Sequence, residues 1–137
     1  MRKIDECLFV AGQIRPEDMP AFAAQGMRMI VNNRPDDEEL GQPSHAEIEA
    51  AAAAAGIACR HIPVAGGFSA DQVAAMGEAL GAANGPVLAF CRSGTRSTFL
   101  WALTRAQAGE EAVEIMRKAA EAGYDLTPIA PYLTRAG

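Results

Sequence analysis

Val87-Leu88-Ala89-Phe90 carries no polar side chain. A strand with one face in water alternates apolar and polar residues, so an unbroken apolar strand must be covered on both faces. Asn84-Gly85-Pro86 breaks the chain before it, and Cys91 ends it at a glycine-containing loop that opens a helix. Cover on both faces means helices on both faces: a three-layer α/β fold with a mostly parallel sheet. The rest of the sequence fits that frame. Leu8–Ala11, Met29–Asn32 and Ala58–Ile62 read as further strands. Pro16 opens a helix that ends before Gly26, a second helix covers Ala46–Ala55, and a third runs from Ser69 to about Ala83. Ser44 with Glu47, and Ser69 with Gln72, have capping-box spacing, and Gly56 stops the second helix. Beyond the cysteine loop, helices are expected from about Ser97 to Ala108, over Glu110–Ala122, and from Thr127-Pro128.

Such a sheet needs little bulk around it. Half of the 137 residues are apolar and 29 are alanine, so thin-faced helices and one compact domain over residues 1–137 are expected. Charged residues make up 21%, which excludes a disordered or collagen-like chain. A net charge of −5 without a basic stripe argues against a nucleic-acid partner. No apolar run of about 18 residues is present, so no membrane span is expected. Cys7–Ala11 is too short for a signal peptide, and the expected location is cytoplasmic. Three cysteines without close pairing do not make a disulfide framework. Cys7 and Cys59 read as buried structural thiols.

In parallel sheets the ligand site lies beyond the carboxyl ends of the strands. That points to the loops after Ile30-Val31, Ile62 and Phe90. The last is Cys91-Arg92-Ser93-Gly94-Thr95-Arg96-Ser97. Cys91 there lies at the positive end of a helix beside two arginines, a setting that favours its thiolate. The backbone N–H groups from Arg92 through Ser93, Gly94 and Thr95 can turn inward as an anion nest, and Gly94 permits the turn. Arg96 can fold over that nest with its planar fork, and Ser97 can give its hydroxyl to the thiolate. The loop reads as a nucleophile in an anion cradle. A structural cysteine before an ordinary helix leaves the arginines, glycine and hydroxyls unexplained.

Other polar residues are less telling. Arg34, in Asn33-Arg34-Pro35-Asp36, reads either as a contact to an anionic substrate or as a turn residue in solvent. Asp36-Asp37-Glu38-Glu39 reads as a solvated acidic loop. His61 reads as a core or edge histidine. Cys59 and His61 share a strand face but lack a third ligand, so neither zinc nor any other cofactor is expected. Phe99, Leu100, Trp101 and Leu103 read as core.

Four residues separate Cys91 from Arg96. Cysteine phosphatases carry one more in a loop that fits a tetrahedral phosphoryl group. The shorter Cys-Arg-x-Gly-x-Arg pattern is similar to the active loop of rhodanese sulfurtransferases, and a smaller cradle suits one sulfane sulfur held as a persulfide on Cys91. Over a longer span, Val10-Ala11-Gly12-Gln13-Ile14, Val31-Asn32-Asn33-Arg34-Pro35-Asp36, Gln42-Pro43-Ser44, His61-Ile62-Pro63-Val64 and Cys91–Ser97 occur in this order. From about Asp5 to Leu126 the chain resembles the beta-lactamase-hydrolase-like domain family. The resemblance implies a fold like that of dual-specificity protein tyrosine phosphatases, with a loop like that of the sulfurtransferases. Some relatives are fused to a metallo-beta-lactamase-type persulfide dioxygenase, so the resemblance implies that any dioxygenase partner would act in trans.

One departure bears on mechanism. In dual-specificity phosphatases a segment like Ile62-Pro63-Val64 is followed by the aspartate that protonates the leaving group, whereas Ala65 follows here. Loss of a general acid costs about 10²–10⁴ in rate. Asp71, Asp36 or Asp37 could in principle substitute, although Asp71 belongs to the first turn of its helix and Asp36 to a solvated turn. Sulfur transfer from thiosulfate or a persulfide needs no strong acid, because its leaving group is already a stable anion. The expected function is therefore a rhodanese-type sulfurtransferase, with Cys91 and Arg96 catalytic and a thiol such as glutathione or a protein cysteine as acceptor. A cysteine phosphatase acting on a phosphate ester through phosphocysteine is the alternative. A non-catalytic module that binds anions or phosphoproteins is the third reading.

Overall fold

The computed structural model describes residues 1–134. Five strands form one sheet: β1 (Arg2–Lys3), β2 (Leu8–Ala11), β3 (Met29–Asn32), β4 (Ala58–His61) and β5 (Val87–Phe90). The order is β1-β2-β5-β3-β4, and every pairing is parallel except β1 with β2. The registers set Ala11 and Asn32 opposite Phe90, and His61 opposite Asn32. The four parallel strands thus end level, and the segments starting at Gly12, Asn33, Ile62 and Cys91 leave from one edge.

The helices are α1 (Met19–Ala24, after a 3₁₀ turn at Pro16–Asp18), α2 (His45–Ala54), α3 (Ala70–Ala82), α4 (Thr95–Gln107), α5 (Ala112–Glu121) and α6 (Ala130–Leu133). They cover the sheet on both faces. Ile30, Leu88 and Phe90 pack with Met19 of α1 and Ile48 and Ala52 of α2. Val31, Val87 and Ala89 pack on the opposite side with Val73, Met76, Leu100, Trp101 and Ile115 from α3, α4 and α5. All four residues of β5 are buried, as its wholly apolar sequence requires. Both capping boxes form: Ser44 Oγ accepts from the Glu47 amide at 3.1 Å, and Ser69 Oγ from the Gln72 amide at 3.1 Å.

Three expectations need correction. The two-residue β1 was missed, being exposed and too short to show a pattern. The helix after the cysteine loop begins at Thr95 rather than Ser97, because Gly94, at φ 93°, turns the chain directly into it. Cys7 is exposed, lying in the turn between β1 and β2 where its amide donates to Asp5 Oδ1 at 2.9 Å. Among the described residues no helix is long and apolar enough to cross a membrane.

Candidate active site

Cys91 follows β5 at the level edge of the sheet, and its side chain is buried. The Gly94 amide donates to its Sγ at 3.1 Å. Two neighbouring carbonyls are held from outside the loop. The Gln13 amide donates to Arg92 O at 3.3 Å, and the Tyr124 hydroxyl donates to Ser93 O at 3.1 Å. A trans peptide points its N–H opposite its C=O, so both contacts turn the following amides inward. The amides of Arg92, Ser93, Arg96 and Ser97 find no acceptor among the described residues. Unpaired amides at a helix start form a positive pole for an anion. Gly12 lets the end of β2 approach the loop closely, since a Cβ there would lie 2.9 Å from Arg92 O.

Arg96 is half-buried on the first turn of α4. Its Nη1 donates to Val64 O at 2.7 Å and to Glu38 Oε2 at 2.7 Å, and its Nη2 donates to Glu38 Oε1 at 2.9 Å. Its charged form is favoured chiefly by Glu38, and also by Cys91. Arg92 reaches outward, 70% exposed, with Nη2 3.7 Å from Glu39 Oε2. All three loops marked by the sheet rule therefore meet here, through Glu38, Val64 and the Cys91 loop.

Arg34 is not a turn residue in solvent. It is 2% exposed and fully engaged inside the protein. It donates to Glu38 Oε1 at 2.9 Å, to Gln13 Oε1 at 2.8 Å and to Glu39 Oε1 at 3.1 Å. A buried guanidinium needs such partners, and the acidic run supplies them. That run is correspondingly less solvated than its composition implies. Hydrogen bonds from Arg96, against a smaller opposing effect of burial and with help from Arg34, pull the Glu38 carboxyl from 4.5 to about 2. Glu38 is thus an anion near neutral pH and a poor proton donor.

Ser97 also departs from expectation. Its hydroxyl is buried without a hydrogen-bond partner among the described residues, and the donor to Sγ is instead the Gly94 amide. Among the described residues Asp36, Asp37 and Asp71 make no hydrogen bond or ion pair with the Cys91 loop. Asp36 Oδ1 instead accepts from the His45 amide at 2.7 Å, and Asp71 lies in the first turn of α3. His61 stacks on His45 at 4.1 Å between ring centroids, with its Nε2 3.0 Å from Arg34 O. Burial pushes the Cys59 thiol up to about 11, so it is an inert structural thiol. Tyr124 escaped sequence reasoning, Glu38 was read only as part of a solvated acidic run, and Gly12 and Gln13 entered only within the Val10–Ile14 segment of the family resemblance, without a role of their own. Only Gly12, placed directly after a strand, carried a local signal.

A parallel sheet that delivers a buried cysteine into an amide-lined loop, with an arginine on the first turn of the next helix, defines the dual-specificity-phosphatase-like class of fold. A candidate phosphatase of known structure from Neisseria meningitidis Z2491 superposes with a TM-score of 0.85 at 36% identity, over 96% of this chain and 94% of that one. A form of P. aeruginosa TpbA in complex with phosphotyrosine shares the fold at 16% identity and TM-score 0.58, over 96% of this chain and 88% of that one. Residues 1–110 match the phosphatase-like domain of the beta-lactamase hydrolase-like proteins, and the chain belongs to that family. A beta-lactamase hydrolase-like protein of Agrobacterium fabrum C58 is 37% identical over 135 residues, 97% of this chain. The chain spans 31% of that relative's length.

Proposed function

We propose that the chain is a cysteine phosphatase that hydrolyses phosphate monoesters through a phosphocysteine on Cys91. The observation that carries this reading is a buried thiol, held by the Gly94 amide, in a loop that leaves four amides without an acceptor among the described residues, beside Arg96. Cys91 attacks phosphorus in line and the ester P–O bond breaks. The inward amides and Arg96 neutralise charge on the phosphoryl oxygens. Water then attacks phosphorus, the P–S bond breaks, and inorganic phosphate leaves with the thiolate restored.

The leaving group decides the substrate class. Among the described residues the one carboxyl hydrogen-bonded to Arg96 is that of Glu38, which is held as an anion and is a poor proton donor. An aryl oxide leaves without protonation far more readily than an alkoxide, so aryl phosphates are the better substrates. The phosphotyrosine complex of P. aeruginosa TpbA supports a substrate of this kind.

Sulfur transfer is the second reading. It is favoured by the four-residue spacing between Cys91 and Arg96 and by the missing acid. In that reading the Cys91 thiolate attacks the outer sulfur of thiosulfate, the S–S bond breaks and sulfite leaves; an acceptor thiolate then attacks the outer sulfur of the Cys91 persulfide and restores the Cys91 thiolate.

Parallel assays with an aryl phosphate, and with thiosulfate plus cyanide, separate the readings on wild type and Cys91→Ser. Cysteine-dependent phosphate release supports the phosphatase. Cysteine-dependent thiocyanate without phosphate release overturns it in favour of sulfur transfer. Inactivity in both, with inorganic phosphate still bound, leaves a binding module.

A further inference from the structure

Tyr124 lies on the segment after α5, thirty-one positions from the loop residue it touches. Its hydroxyl donates to Ser93 O at 3.1 Å, while the Gly94 N–H donates to Cys91 Sγ at 3.1 Å. These two groups belong to one peptide unit. That unit is trans, so its C=O and N–H point in opposite directions. The Ser93–Gly94 plane therefore has one edge on Tyr124 and the other on the nucleophile.

Glycine makes this plane easy to lose. Gly94 sits at φ 93°, and without a Cβ it has little steric resistance to a peptide flip. A flip would turn the Ser93 carbonyl, an acceptor, toward the sulfur and away from Tyr124. The opposing contact is built closely: a Cβ on Gly94 would run into the Tyr124 hydroxyl. The ring itself is anchored. It packs against the core that contains Leu126, and Arg2 lies over it with its guanidinium carbon 5.9 Å from the centroid. Burial, reinforced by Cys91 and opposed by Arg2, raises the pKa of the phenol, so it keeps the proton that it donates.

We infer that Tyr124 is a positioning residue for Cys91, holding the Ser93–Gly94 peptide so that the Gly94 N–H faces the sulfur. Among the described residues its hydroxyl bonds to Ser93 O and not to the sulfur, so it acts through that one plane. The inference rests on Cys91 being the nucleophile of the proposed function, but not on which group Cys91 transfers.

The test is alkylation of Cys91 by iodoacetamide across pH, followed by peptide mass analysis, in wild type and Tyr124→Phe. Loss of the Gly94 N–H bond to the sulfur is expected to slow alkylation of Cys91 by roughly tenfold. The Gly94 amide resonance in a ¹H–¹⁵N spectrum should shift as its bond to sulfur is lost. A melting curve separates this from a loss of fold. If Y124F melts early, p-aminophenylalanine at position 124, which restores a donor on the same ring, should return both readings to wild type. Unchanged alkylation and an unmoved Gly94 resonance in folded Y124F would overturn the inference, as would failure of the rescue. A wild-type Cys91 that alkylates no faster than the exposed Cys7 across the pH range would instead count against the nucleophile itself.

Discussion

Glu38 grips both terminal nitrogens of Arg96, with Oε2 2.7 Å from Nη1 and Oε1 2.9 Å from Nη2. This is the two-pronged geometry with which a guanidinium receives an oxyanion. An internal carboxylate thus holds the donors that, in the proposed phosphatase, a substrate phosphoryl group would use. Arg34 fixes the same carboxylate from the other side, at 2.9 Å, so Glu38 is not a loose surface acid.

Glu38→Gln keeps the shape and an acceptor but removes the competing charge. Inorganic phosphate should then bind about three- to tenfold more tightly, a gain of roughly 1 kcal/mol. Competitive inhibition of aryl phosphate hydrolysis, or calorimetry on Cys91→Ser, measures it. Weaker binding in E38Q would mean that Glu38 holds Arg96 in place for the substrate rather than competing with it.

The same carboxylate links stability to pH. Its folded-state pKa of about 2 lies below the ordinary 4.5, mainly through the hydrogen bonds from Arg96. A depressed carboxylate pKa stabilises the fold above the unfolded value, and that stability is lost as pH falls toward the folded value. Because the group is partly exposed, the contribution is about 1 kcal/mol or less. E38Q should melt below wild type at pH 7, and the gap should narrow between pH 4.5 and the acid limit of folding. A gap that stays constant from pH 7 to pH 3 would count against this linkage.

Much of this architecture was legible because it is written locally. β2, β3 and β5 stand where apolar runs between breakers place them, and the helices at His45 and Ala70 start at their capping boxes. The cysteine loop was legible because nucleophile, glycine and arginine lie within one short stretch. Glu38 was not, because its bond to Arg96 spans 58 positions and nothing local distinguishes it from the acids around it. Arg34 has the same difficulty: a polar residue after a strand looks like a turn until tertiary packing buries it. The start of α4 was missed because one left-handed glycine can begin a helix without a polar cap.

Gly12 sets the distance between β2 and the cradle. In Gly12→Ala the new Cβ would lie 2.9 Å from Arg92 O, tighter than packing allows, and the carbonyl must move. That displacement weakens the Gln13 amide bond and disturbs the inward Ser93 N–H. Overpacking of this kind costs about 1–3 kcal/mol. Melting temperature should fall by several degrees, and aryl phosphate turnover should fall by about tenfold or more. A full-rate G12A enzyme would show that the cradle tolerates movement of Arg92 O.

Cys59 provides an internal control for thiol chemistry. With its pKa at about 11, only about one molecule in several thousand carries the thiolate at pH 7.5. Brief iodoacetamide treatment at that pH should therefore leave Cys59 unmodified. Labelling of Cys59 at the rate of the exposed Cys7 would show that β4 opens on the timescale of the reaction.

The stacked histidines give the loop above the sheet a pH response of opposite origin. Asn32 Oδ1 accepts from the Arg34 amide at 2.9 Å, which fixes the Asn32 amide group with its Nδ2 3.2 Å from His45 Nδ1. Nδ2 is a donor, so His45 Nδ1 must accept and the ring is neutral. A proton on Nδ1 would set two donors against each other. Burial, and the neighbouring His61, lower the His45 pKa below 6.5, while Glu49 and Asp36 oppose this only in part. Here the unfolded chain takes up the proton before the folded one does. Stability should therefore fall as pH drops below 6.5, and level off once pH passes the folded value. His45→Phe keeps a ring for His61 to stack on but has no proton to take. Between pH 7.5 and 5.5 the melting temperature of wild type should fall more steeply than that of H45F. Parallel curves would show that His45 protonates freely in the folded protein, and that Asn32 turns to let it.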